Sequence, residues 1–128
     1  MAIQIEQVDL KRGETVSEEK LRLIQEFVPG KQLTLLHIIA QPVEELYQRL
    51  GIDNNGAIGI VTSTPGEGAI IAADVATKSA NVRIGFLDRF TGAVVIVGDV
   101  ASVEAGLQEI RNVMLNLLQF TPCDITRT

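Results

Sequence analysis

One histidine, one cysteine and a Thr-Pro-Gly-Glu-Gly turn carry most of the chemical potential of this chain. His37 lies inside the apolar, β-branched run Gln32 to Ala40, QLTLLHIIA. A general base needs a nucleophile or an orienting carboxylate within hydrogen-bond reach. None adjoins His37 in sequence, so it reads as a structural histidine on a strand face. Cys123 follows Pro122 and precedes Asp124. A reactive thiol needs an electropositive setting, and Asp124 works against one. As the sole cysteine it excludes an internal disulfide and a cysteine-built metal site within one chain, which suits a reducing cytoplasm. Thr64 to Gly68 falls between a strand and a helix, where phosphate loops occur. It lacks the Lys-Ser/Thr of a P-loop and the dinucleotide glycine spacing, and Glu67 would repel a phosphate. Helix capping is the better reading. Asp74, Asp88 and Asp99 have no spacing that pairs carboxylates, and Lys78 reads as part of a solvated helix face. The residues therefore nominate no catalytic group, no cofactor site and no metal site, which favours a binding or structural protein.

The elements that would position these residues come from a chain of 128 residues, enough for one ordinary core. The hydrophobic fraction of 46% against 21% charged excludes a largely disordered chain. With 4% aromatics and no Trp, the core must be built from Ile, Val, Leu and Ala, and stacking platforms for bases are disfavoured. A net charge of −5 without a Lys/Arg cluster argues against a nucleic-acid partner. No apolar stretch approaches the roughly 20 residues of a membrane span, and MAIQIEQVDLKRGE lacks the pattern of a secretory signal. The chain is expected to be soluble and intracellular.

Residues 1–31 read as an arm. Ile3, Ile5, Val8 and Leu10 fit a short strand, Thr15 to Glu18 a capping box, and Leu23 to Val28 an extended segment closed by Pro29-Gly30. Residues 32–128 read as the domain. Gln32 to Ala40 is a buried strand, and a helix follows with Pro42 at its first position, Glu44 and Glu45 in its first turn, Leu46 and Leu50 on one face and Gly51 as its stop. Ala57 to Thr62 is a strand. Thr64 as N-cap and Pro65 in first position open a helix running to about Ala80. Val82 to Leu87 and Ala93 to Val97 form a hairpin across Asp88 to Gly92. Asp99 caps a helix whose stripe is Val103, Leu107, Ile110, Met114 and Leu117, and Phe120 to Thr128 is an extended tail. The expected fold is a single α/β (α+β, ferredoxin-like layered) domain: one sheet with helices on one face.

Four segments carry a resemblance. Ile71 to Val82 (IAADVATKSANV) and Gly98 to Glu104 (GDVASVE) resemble the helix-to-strand and strand-to-helix junctions of bacterial microcompartment shell proteins. Ile84 to Ala93 (IGFLDRFTGA), with Ile24 to Gln32 (IQEFVPGKQ), is similar to the circularly permuted hexameric subset of ethanolamine-, propanediol- and choline-type compartments. The likeness covers residues 24–128. The strand and helix of Gln32 to Leu50 come first here and last in ordinary members, which is the permutation. Residues 1–22 exceed what the subset leads one to expect.

The resemblance implies a homohexamer that tiles with other shell proteins into a sheet around enzymes, without catalytic activity. It places Arg89, Phe90, Thr91 and Gly92 in the pore loop, where the family is typically small and glycine-rich. It places Lys78 at the contact edge between hexamers, and Gln41 where many members carry an edge arginine. It assigns Leu23, Ile24, Gln25, Glu26, Phe27 and Val28 to a six-stranded parallel β-barrel that narrows or plugs the pore. Rotation about the axis preserves strand direction, and closure satisfies open strand edges. An encapsulated enzyme's targeting peptide is a candidate ligand of that barrel. Two other readings remain open: a small-molecule-binding regulatory oligomer, and an enzyme whose site is shared between chains through His37 and Asp88.

Overall fold

The computed structural model describes residues 30–53 and 56–128. The expectations for Ile3 to Leu10, Thr15 to Glu18 and Leu23 to Val28 lie outside the described residues. Eight elements follow in order: β1 (Gln32–Ile39), α1 (Glu44–Leu50), β2 (Ala57–Thr64), α2 (Gly68–Ser79), β3 (Arg83–Asp88), β4 (Ala93–Gly98), α3 (Val100–Asn116) and β5 (Ile125–Arg127). They build one mixed sheet in the order β3-β4-β2-β1-β5. Only the β1–β5 pair is parallel; the tail read as merely extended is the fifth strand.

Period-two alternation splits the strand residues between two faces. Ala57 and Val61 of β2, Val94 and Ile96 of β4, and Leu36 and Ile38 of β1 join Ala69, Ala72 and Ala76 of α2 and Val103, Leu107, Ile110 and Met114 of α3 in the main core. Small residues bring the two helices together: a Cβ added at Gly106 would stand 3.6 Å from that of Ala76. The opposite face is not bare. Tyr47 of α1 packs there on Ile58, Val95 and Val97, and its hydroxyl donates to the Gly56 carbonyl. The expected one-sided layer is therefore two helices on one face and a short helix on the other, because β2 and β4 are apolar on both sides and both sides need cover.

Caps explain the element boundaries. Gly51 ends α1 with φ 70°, a left-handed turn that glycine adopts freely. Asp99 opens α3 as expected, its carboxylate accepting from the Ser102 amide at 2.9 Å and the Ser102 hydroxyl at 3.0 Å. Two helix starts differ from expectation. Thr64 is no N-cap: it pairs with Gln32 as the last residue of β2, and the turn 65–67 intervenes. The first bonds of α2 are backbone ones, Gly68 to Pro65 and Ala69 to Gly66, both 3.0 Å. Pro42 precedes α1 altogether, since extended Val43 occupies the cap position. Leu117 leaves the expected stripe, because it caps the C-terminus of α3 beyond the sheet and is 75% exposed.

Candidate functional site

The sheet has two ends, and the residues singled out from sequence divide between them. Gln32 pairs with Thr64, Thr62 with Ala93 and Ala93 with Asp88, so the start of β1 and the β3–β4 connection share one end. The connection, residues 89–92, is tightly built. The Asp88 carboxylate accepts from the Phe90 amide at 2.9 Å, the Thr91 amide at 3.4 Å and the Thr91 hydroxyl at 2.9 Å. The Phe90 amide first, and the Thr91 hydroxyl next, hold its pKa below the usual carboxylate range. Gly92 takes φ 80°, and its carbonyl accepts from the Ser63 amide at 2.9 Å. Gly66 lies under the Arg89 carbonyl with no room for a side chain. Gly66 of the 64–68 turn thus serves as a seat for this loop. On the loop, the Arg89 guanidinium stacks 4.9 Å from the centre of the Phe90 ring, and Phe90 is 83% exposed. A hollow of about 370 Å³ beside them is lined by Ile70, Leu87, Asp88, Arg89 and Phe90.

Lys78 and Gln41 belong to the opposite end. α2 runs from the 65–67 turn back to Ala80, next to Asn81, whose carbonyl abuts Gly98; β1 ends where Ile39 pairs with Ile58. The Lys78 ammonium sits 3.1 Å from the Asp74 carboxylate one turn earlier on the helix. At about 3.3 Å per strand residue, some 20 Å of sheet separates this end from the loop end.

β1 begins at the loop end. Lys31 accepts from the Thr121 amide and Leu33 donates to the Thr121 carbonyl, both at 2.8 Å, which fixes the entry to β1. This direction was not legible in sequence, because it depends on the order of strands in the sheet.

His37 and Asp88 are not brought together within one chain. They stand on strands three places apart, about 14 Å across the sheet. Both ring nitrogens of His37 meet hydroxyls, Thr126 at 2.6 Å and Thr128 at 2.9 Å, so the imidazole ties the tail to β1. Burial pushes the Cys123 thiol up from its ordinary value, with Arg111 opposing, and the Cys123 carbonyl accepts from Arg111 Nε at 2.9 Å. Among the described residues no three His, Cys, Asp or Glu side chains gather as a metal site, and no helix is long and apolar enough to cross a membrane.

Comparison with known proteins gives one answer. The BMC domain matches residues 57–125. The microcompartment shell protein PduU of Salmonella typhimurium is 57% identical over 108 residues, spanning 84% of this chain and 93% of PduU. The shell protein EutS of Escherichia coli is 54% identical over 110 residues, spanning 86% of this chain and 99% of EutS. Among solved structures, the flat hexamer of CutR superposes with a TM-score of 0.77 at 51% identity, covering 79% of this chain and 94% of that one. CutR is also known as a screw, with a TM-score of 0.75, 51% identity, and 78% and 100% coverage.

Proposed function

This chain belongs to the BMC-domain family, and from that premise we propose that it is a structural shell protein of a bacterial microcompartment. It assembles as a homohexamer and tiles with other shell proteins, and it performs no chemistry of its own. The observation that carries the reading is the opposition of the two sheet ends. A wedge-shaped protomer in a ring needs one end for the axis and one for the perimeter. Arg89 to Gly92 supply the first, as a pore loop; Lys78 and Gln41 supply the second, as the contact edge between hexamers. The permuted order is supported by the family match beginning at Ala57, which leaves β1 and α1 ahead of it although β1 sits between β2 and β5 in the sheet.

The arm belongs to the same proposal. Residues 23–28 of six copies form a parallel barrel over the hub and narrow or plug the channel. Support comes from the entry to β1 at the loop end, which directs the preceding chain toward the axis.

Native mass spectrometry and negative-stain microscopy test the assembly. A six-chain ring that grows into sheets or tubes with concentration is the expected result; a monodisperse monomer or dimer at millimolar concentration overturns it. For the barrel, the channel of the full chain is compared with that of a form lacking residues 1–28. An equally open channel in both removes the plug.

A further inference from the structure

The sheet face that carries α1 is only partly roofed. Its row farthest from the loop, through Ile58 and Val97, lies under Tyr47. The next row is His37, Ile60, Val95 and Phe86, of which Tyr47 reaches Val95. The row nearest the loop is Leu35, Thr62, Ala93 and Asp88. Beyond the reach of α1, Phe86 is 47% exposed and Leu35 38%. Thr34 is exposed beside Leu35 at the irregularity in β1, and its hydroxyl meets that of Thr62. The two titratable groups of these rows are already engaged. His37 meets Thr126 and Thr128, and the Asp88 carboxylate is turned onto its own loop. What remains open is a strip of apolar side chains and hydroxyls, and a sheet face of this kind calls for a covering layer.

We propose that residues 3–10 of the same copy lie across this strip, with Ile3 and Ile5 turned down onto Leu35 and Ile60. Ile3 and Ile5 fall on one side of an extended segment, and Gln4 and Glu6 fall on the other, toward water. The Thr34 and Thr62 hydroxyls offer hydrogen-bond partners to the backbone of the segment. Eight extended residues span about 26 Å, enough to cross the roughly 14 Å from β1 to β3. The reach is sufficient. The described chain starts at Gly30 and β1 begins at the loop end, so the residues ahead of it join the sheet beside the strip. With residues 23–28 standing as a barrel strand about 20 Å tall, the twelve residues 11–22 still span about 40 Å and return the segment to the sheet. The relatives point to the same stretch of surplus chain: 110 of the 128 residues here cover 99% of EutS, which leaves 18 without a counterpart. The docking lies within one chain and stands whether or not the ring closes.

Tryptophan fluorescence tests it on the full-length protein. The chain has no Trp, so Leu35→Trp installs a sole reporter on the strip. Removal of residues 1–18 from that form keeps residues 23–28, and it is expected to shift the emission to the red and to increase quenching by acrylamide. Ile3→Asp together with Ile5→Asp in the full-length reporter is expected to do the same, because an unpaired charge is not buried on an apolar strip. Phe86→Trp reads the β3 side of the strip if circular dichroism shows that Leu35→Trp disturbs the fold. Emission that is unchanged by the truncation overturns the docking. Emission that follows protein concentration and ignores the truncation gives the strip to a neighbouring copy, and overturns it as well. Native mass spectrometry on the same samples reads the ring separately, so a lost ring and a bare strip are told apart.

Discussion

Asp88 and Asp99 perform related work at different places, each turning its carboxylate back onto backbone amides of the next turn. At Asp99 the Ser102 amide first, and the Ser102 hydroxyl second, lower the pKa. A carboxylate with a depressed folded-state pKa contributes stability above its unfolded value, near 3.9, and loses it as the pH falls through the folded value. Asp99→Ala is therefore expected to melt below the wild type at pH 7. The gap should close as the pH drops below about 4, followed by circular dichroism across that range. Gly92 makes a different demand. It holds φ 80°, and an added Cβ would strike the Ser63 carbonyl. Gly92→Ala should cost on the order of 1–3 kcal/mol and loosen the Ser63 amide, read by chemical denaturation and hydrogen exchange. Asp99 was legible as a cap because an acidic residue stood directly before a helical stripe. Thr64 looked equally suitable and was not one. Its backbone is claimed by the ladder with Gln32, a partner 32 residues away that local pattern does not reveal.

The long helices and central strands were readable because burial imposes their period. Val103, Leu107, Ile110 and Met114 recur at helical spacing, and all four are buried. Leu107→Ala should accordingly cost about 2–5 kcal/mol, measured by urea unfolding at fixed protein concentration, since assembly contributes to apparent stability. Short elements were less legible. On α1 only half of the expected leucine face packs: Leu46 joins Tyr47, whose ring is wide enough to cover Ile58, Val95 and Val97 from a helix of 7 residues, while Leu50 stays exposed. β5 has 3 residues, too few for alternation to register, and its pairing beside β1 depends on the path of the preceding tail.

For the molecule as a whole, the family was legible in four short stretches, while the opposition of its two ends was not. That opposition is a property of strand order, and in the proposed ring it would give the two ends separate duties. Lys78→Ala is expected to abolish sheets and tubes under negative stain while native mass spectrometry still finds six chains. Loss of the six-chain particle itself would show that Lys78 acts inside the ring. So exposed an ion pair with Asp74 adds little stability, so the wild-type melting temperature should be kept to within a few degrees.

The parallel course of β5 carries a practical corollary. Its strand heads away from the loop, and the Thr128 carbonyl accepts from the Ala40 amide at 2.9 Å just past the end of β1. In the proposed assembly, a fluorescent reporter fused behind Thr128 would therefore emerge between neighbouring tiles and wedge them apart.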